Sequence, residues 1–137
     1  MSDAIRTIQK DTSMAHWAIT FGLHRERAGW RFSYEPQGIE VGELLFFAVH
    51  GRVQAVGTYQ GAKWSERRQM YVVTTTDNLP IDDYTLEFKG YAQLRYLDEL
   101  PDQYEGRYSE LVKKLRKIAK RYRAGTFEPK IYAFGDT

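Results

Sequence analysis

Two adjoining apolar segments in the middle of the chain predict a β-hairpin. Residues 44–49 are apolar almost without interruption, which is typical of a strand buried on both faces. Residues 53–59 follow after a short connection and alternate along their length, which places Val53, Ala55 and Gly57 on one face. We therefore expect the two segments to pair antiparallel inside a sheet.

The segments on either side of this hairpin predict further strands. Most of them are rich in β-branched and aromatic residues, and they are separated by stretches of Gly, Asp, Asn and Pro that favour turns. The predicted segments are strands over residues 16–21, 69–75, 85–97 (bent at Gly90) and 130–134, a loop over residues 23–34, a turn over residues 77–80, and a short helix over residues 4–10 or a loose N-terminal arm.

One helix is predicted near the C-terminal end. Ser109 is a suitable N-cap, Gly125 can end the helix, and the apolar positions between them recur at i, i+4, i+7 and i+11. We thus expect a single α+β domain over residues 1–137, built on a curved, mostly antiparallel sheet or small β-barrel flanked by helices. The apolar stripe of the helix consists of Leu111, Leu115, Ile118 and Tyr122.

Charge is unevenly distributed, although the net charge is only +2. Residues 109–123 contain seven Lys or Arg and one acid, so this segment carries +6 and the rest of the chain −4. Such a basic stripe attracts a phosphate backbone, and a solvated helix surface has the same pattern.

Composition narrows the functional class. The chain has no cysteine, which excludes disulfides and thiolate zinc sites, and no apolar run approaches the roughly 20 residues that cross a bilayer. We expect a soluble, cytoplasmic protein. The three histidines lack metal-ligand spacing, and no nucleophile-elbow, Walker or dinucleotide-binding motif occurs. The sequence therefore indicates neither a metal nor a cofactor and gives no support for catalysis.

Aromatic residues are abundant, with three Trp, ten Tyr and seven Phe. Trp17 lies inside an apolar segment and is expected in the core. Trp30 and Trp64 lie among polar residues in predicted loops, where burial requires a partner for the indole N–H. Two such rings at the mouth of a small sheet can sandwich a planar ligand such as a nucleobase.

Several short segments occur in a recognisable order. They are the strand over residues 16–21, Gly29-Trp30-Arg31-Phe32-Ser33, Val41-Gly42-Glu43, the strand from Gly51 to Gly57, and the loop with Trp64. This order resembles the PUA-like superfamily, in which Gly-Asp is more frequent than the Gly-Glu found here. Within it the chain is most similar to the EVE and YTH branch, whose members bind modified bases in nucleic acids.

The resemblance implies that a modified base, methylated in YTH domains, flips out of its stack into an aromatic cage. Trp30 and Trp64 match the two cage tryptophans, and Phe32 or Ser33 matches the residue that reads the edge of the base. The loop after Trp30 departs from YTH domains, so adenine methylation does not follow. Cations near these residues and on the helix would contact phosphates; they are Arg25, Arg27, Arg31, Lys63, Arg67, Arg68, Lys117, Lys120 and Arg121.

The partner implied by this resemblance is DNA or RNA that carries a modified base, with no membrane involved. The EVE-like specificity domains attached to modification-dependent restriction enzymes are similar in size, so the resemblance implies a DNA specificity domain of such a restriction system. A fused or separate effector, a nuclease or an NTPase, is therefore expected as a second partner.

Two alternatives stay open. Residues 61–68 match the GxKxxExR pattern of ASCH domains, some of which are similar to RNA-binding or nucleolytic proteins. In that case Lys63, Glu66 and Arg68 would form a catalytic cluster, although in ASCH domains the motif precedes the Gly-Asp strand and here it follows Val41-Gly42-Glu43. The second alternative is a protein-interaction domain whose aromatic residues build a surface patch.

Overall fold

The computed structural model of the chain describes residues 2–8, 26–81, 83, 85–89, 94–102 and 106–128. In these ranges, a six-stranded sheet packs against one α-helix. The elements are β1 (Ala4–Thr7), β2 (Arg27–Phe32), β3 (Leu44–Val49), β4 (Arg52–Ser65), β5 (Met70–Pro80), β6 (Arg95–Tyr96), a short 3-10 helix (Leu100–Asp102) and α1 (Ser109–Ala124).

The strand order in the sheet is β2-β5-β4-β3-β1-β6. β1 and β3 are parallel, and the other four pairings are antiparallel. The predicted α+β class and the mostly antiparallel sheet are therefore confirmed for the described residues. The alternative of a small β-barrel is wrong, because β2 and β6 form the two edges of an open sheet. A single α-helix, rather than several, flanks the sheet in the described part of the chain.

The central hairpin confirms the first sequence prediction. All six residues of β3 are buried. β3 is joined to β4 by His50 and Gly51, whose φ angles of 52° and 78° are those of a type I′ turn. The predicted alternation is wrong at Gln54, where the pairing register shifts by one residue. As a result Val53 and Ala55 face opposite sides of the sheet.

Other predicted segments differ because strands gain partners that are distant in sequence. β2 forms where a loop was predicted, since it pairs along β5. β4 and β5 pair with each other along residues 61–65 of a loop predicted over residues 61–68, and along the predicted turn at residues 77–80. β1 replaces the predicted N-terminal helix or arm by pairing with β3 and β6. Residues 85–97 supply buried Leu86 and Phe88, but among the described residues of that range only Arg95 and Tyr96 form a strand, β6.

Four sequence predictions about the fold concern residues outside the described ranges. They are the strand over residues 16–21, Trp17 within it, the bend at Gly90, and the closing strand over residues 130–134.

α1 covers one side of the sheet, which we call the helix face. The predicted apolar stripe is confirmed by the burial of Leu111 and Leu115 against the sheet. The residue before the helix is Tyr108, which makes no side-chain capping hydrogen bond, so Ser109 is the first helical residue and not the cap. Gly125 ends the helix in a left-handed conformation, with φ 73°. No helix among the described residues is both long and apolar enough to span a membrane.

The opposite side of the sheet, the concave face, holds an aromatic-rich core. The ring of Trp30 on β2 stacks on Phe47 of β3 with 4.2 Å between centroids. In a flat sheet, strands three positions apart are separated by about 14 Å. Similarly, the guanidinium carbon of Arg6 on β1 lies 4.5 Å from the centroid of Phe32, four strand positions away on β2. The sheet therefore curls strongly around this face.

Candidate nucleic-acid interface

Past the start of β3 the sheet narrows to three strands, which we call the arm: β2, residues 60–65 of β4 and residues 70–76 of β5. β3 pairs with β4 only as far as Thr58, whereas β4 and β5 remain paired up to Ser65 and Met70. The arm thus projects beyond β3. Side chains near its end are exposed on both of its faces.

On the concave face of the arm, Phe32, Tyr71 and Trp64 form one cross-strand row. Burial falls steeply along this row, because Phe32 is 1% exposed and Trp64 is 45% exposed. The Trp64 ring meets Tyr71 edge to face, with centroids 5.1 Å apart and an interplanar angle of 67°. Its Nε1 donates a 3.0 Å hydrogen bond to Oε1 of Glu66. The indole is therefore held in one orientation while much of its surface remains accessible.

Trp30, the other tryptophan of the predicted cage, lies in the core. It is 7% exposed, stacks on Phe47, and donates a 2.8 Å hydrogen bond from Nε1 to Oγ1 of Thr75. Both tryptophans belong to strands and not to the predicted loops. The structure does not bring the two indoles together as facing walls. Ser33 follows β2 and is exposed.

The arm's cations lie on the helix face, opposite Trp64. Arg31 and Lys63 form one row because each is in register with Val72. Arg27 precedes Arg31 by four residues and therefore points to the same side. All three cations are exposed, and none has a hydrogen-bond or ion-pair partner within the described residues.

Two further cations occupy the turn at the tip of the arm. Arg67 and Arg68 follow Trp64 in the β4–β5 connection and are exposed. The backbone N–H of Arg68 donates to Oγ of Ser65 at 3.3 Å, but neither guanidinium has a partner in the part of the chain that the structure describes. Arg25, predicted with them, lies outside that part.

The cations of α1 divide into neutralised and free groups. Acidic side chains pair with Lys113, Arg116 and Arg123: their partners are Glu110 at 3.3 Å, Asp98 at 3.0 Å and Asp3 at 2.6 Å. The predicted contacts Lys117, Lys120 and Arg121 have no ion pair with any described residue. At 100° per residue, Lys117 and Lys120 point away from the sheet. Arg121 lies on the flank opposite Arg123, whose partner is Asp3.

Sequence reasoning missed the polar residues that fix Trp30. The Thr75 hydroxyl accepts the indole N–H and donates to Oδ1 of Asn78 at 2.7 Å, and Nδ2 of Asn78 donates to the Thr75 carbonyl at 3.3 Å. Thr75 and Asn78 are completely buried. A side chain on Gly57 would overlap with Oδ1 of Asn78. The sequence signal for this contact is Gly57 itself, because a glycine within a predicted strand often marks the close approach of another group.

The residues of the ASCH-like pattern do not form a cluster. Lys63 lies on the helix face, whereas Glu66 binds the Trp64 indole and also accepts a 3.2 Å hydrogen bond from Nε2 of Gln69. Neither Lys63 nor Arg68 contacts Glu66 through an ion pair in the described ranges. Among the described residues, no group of three His, Asp or Glu side chains is arranged to hold a metal ion.

No family model matches the chain, and comparisons with curated proteins and with solved structures found no match. The candidate interface therefore depends on the geometry of the arm.

Proposed function

We propose that the chain is a non-catalytic nucleic-acid-binding module that stacks an unpaired or flipped base on Trp64. The observation that carries this proposal is the exposure of Trp64, 45%, at the tip of a projecting arm next to two arginines without described partners. An indole offers a π-face that any base can stack on, and the guanidinium groups of Arg67 and Arg68 can bind the adjoining phosphates. Base and backbone contacts would thus both come from the tip of the arm.

The energetics favour stacking as the main contribution of Trp64. Base stacking on an aromatic side chain is worth about 1–3 kcal/mol, which corresponds to about 5- to 150-fold in affinity. The hydrogen bond to Glu66 and the Tyr71 contact reduce the freedom that the indole would lose on binding. An exposed tryptophan that is already oriented is therefore suited to this role.

Recognition of a modified base is the finer part of the proposal, and it follows from the resemblance to EVE and YTH domains. We propose Tyr71 rather than Trp30 as the second aromatic wall, because Tyr71 stands at 67° to the Trp64 ring. Such a corner is open, and burying one methyl group contributes only about 0.8 kcal/mol. We expect a preference for a methylated base of about fourfold or less. An effector domain in the same or a partner chain would act on the bound site.

Binding of short DNA and RNA oligonucleotides tests the proposal. Single- and double-stranded probes, unmodified or carrying N6-methyladenine or 5-methylcytosine, are titrated while probe anisotropy, Trp fluorescence and probe integrity are followed. Trp64→Ala should lower affinity within the stacking range and remove the fluorescence quenching. Val41→Ala is the matched control, because Val41 is 65% exposed and carries no aromatic ring. Equal affinities for the two variants would contradict the proposal, and probe cleavage would favour an enzyme.

A further inference from the structure

We propose that the helix face of the arm binds the phosphodiester backbone of the nucleic acid, with Arg31 and Lys63 as its principal contacts. This inference rests on the proposed function, and it adds a second binding surface on the side of the sheet opposite Trp64. The bound chain would then pass around the end of the arm, with its base on one face and its phosphates on the other.

The spacing of Arg31 and Lys63 suits a row of phosphates. Both are in register with Val72, so two strand spacings, about 10 Å, separate their Cα atoms. Both side chains are exposed and long enough to converge or to reach successive phosphates. Since neither has an ion partner within the described residues, binding a phosphate would not require an existing salt bridge to break.

The rest of this surface carries hydroxyl and amide groups and no carboxylate along the strands of the arm. Between the two cations and α1, the face includes Thr74, Thr76 and Gln60, whose Nε2 donates a 2.9 Å hydrogen bond to the Thr76 hydroxyl. Glu26 and Asp77 lie beside Arg27 where β2 begins, so they reduce the positive potential there. Arg31 and Lys63 have no acidic neighbour along their strands or in register across the arm.

The C-terminal end of α1 adds a further cation on this side of the domain. The helix ends beside the arm, where the Tyr122 hydroxyl lies 2.9 Å from the Thr58 hydroxyl and donates to the Asp77 carbonyl at 2.8 Å. Arg121, on the flank of α1 opposite Arg123, is a cation without an ion partner in the described ranges. The cations on this side of the domain therefore form two groups, Arg31 and Lys63 on the arm and Arg121 on α1, with Asp77 beside the helix end.

Charge complementarity favours a phosphate backbone over a protein partner. Protein interfaces usually have an apolar centre with aromatic anchors and few charges. On this face of the arm, Val72 is the central apolar side chain, and it is flanked by Arg31 and Lys63. Phosphate contacts of this kind make binding strongly dependent on salt and largely independent of sequence.

The salt dependence of binding tests the inference. The double variant Arg31→Gln/Lys63→Gln is compared with Lys89→Gln/Lys113→Gln, which removes the same charge at exposed positions at the other end of the domain. The probes are DNA and RNA of one sequence, single- and double-stranded. We expect the first variant to bind about tenfold more weakly at 50 mM salt, with a log–log salt slope reduced by about 1.8 on duplex DNA or 1.4 on single strands.

The outcomes separate this inference from the proposed function. Equal slopes for the two double variants overturn the helix-face contact, even if Trp64→Ala still weakens binding. If Arg31→Gln/Lys63→Gln shows the expected loss of affinity and Trp64→Ala shows none, base stacking on Trp64 is overturned and the helix-face contact is retained. If the unaltered protein binds no probe at low salt but binds an acidic peptide, both are overturned in favour of a protein partner.

Discussion

The indole N–H of Trp30 donates a 2.8 Å hydrogen bond to the hydroxyl of Thr75, in the interior of the sheet's concave side. The same hydroxyl donates to Asn78, so each polar atom in this chain of contacts has a partner in place of water. A buried indole N–H without a partner is costly. This arrangement explains how a tryptophan in a polar sequence context becomes a core residue, whereas Trp64 stays exposed.

The Thr75 hydroxyl should therefore matter for stability and not for nucleic-acid binding. Thr75→Val keeps the shape of the side chain but leaves the Trp30 N–H and the Asn78 carbonyl oxygen unsatisfied. We expect a loss of about 1–3 kcal/mol in the free energy of unfolding, measured by urea denaturation. Thr74→Val is the matched control, because Thr74 is half-buried on the helix face and its hydroxyl makes no hydrogen bond within the described residues. Equal losses in the two variants would contradict the role of the hydrogen-bonded chain.

Gly57 should resist substitution more strongly than other strand glycines. A Cβ at this position would overlap with Oδ1 of Asn78 and also press on Thr75, and both are fully buried. Gly57→Ala should therefore lower the free energy of unfolding by about 1–3 kcal/mol. The control is Gly29→Ala, where the added Cβ makes an ordinary 3.4 Å contact with Cγ1 of Val72. That variant should be neutral or up to about 1 kcal/mol more stable. The reverse order would contradict the packing described for Asn78.

The sequence predicts this fold where local pattern and tertiary structure agree. The continuous apolar run of β3 and the 3.6-residue stripe of α1 could be identified because burial dictates both patterns directly. Gly125 could be placed at the helix end because its left-handed backbone conformation is favoured by glycine itself and does not depend on distant contacts.

Prediction was wrong where distant partners decide the structure. Asp77 and Asn78 are typical turn residues, yet here Asp77 has a φ of 51° inside β5 and Asn78 is buried under Gly57. Residues 27–32 alternate like a strand, but Gly29 and the adjoining charges favoured a loop. For the site, polar neighbours could not show whether an indole N–H would find a buried hydroxyl, as Trp30 does, or a surface carboxylate, as Trp64 does.

Alkaline pH should destabilise the domain partly through Tyr122. Burial is the largest cause that raises the pKa of this phenol above its ordinary 10.0, and the nearby charge of Asp77 raises it further. The unfolded phenol therefore ionises first. The contribution to stability is complete below pH 10 and is lost as the pH rises through the higher pKa of the folded state. Urea midpoints measured between pH 8 and pH 11 should fall less for Tyr122→Phe than for the unaltered protein.

The lost Thr58 contact and two other tyrosines also affect the stability of Tyr122→Phe. Tyr122→Phe also loses the contact with the Thr58 hydroxyl, so it should already be less stable at pH 8, and only the change with pH reports on ionisation. Tyr59 and Tyr96, whose pKa values burial also raises, remain in both proteins and keep part of the alkaline loss. An unchanged alkaline fall in Tyr122→Phe would contradict the prediction.

A substitution at Glu66 distinguishes base stacking at the tip of the arm from ASCH-like catalysis. Glu66→Gln keeps an oxygen that can accept the indole N–H of Trp64 but removes a negative charge beside Arg67 and Arg68. For a nucleic-acid-binding tip, loss of that charge should strengthen binding about two- to fivefold at low salt, and the gain should disappear as salt is added. Glu87→Gln is the control, because Glu87 is exposed and forms a β-bridge with Arg52, at the opposite end of β4 from the tip of the arm. Oligonucleotide anisotropy and probe integrity are measured together. If the unaltered protein cleaves RNA and Glu66→Gln does not, the carboxylate is catalytic and the binding module proposed above is wrong.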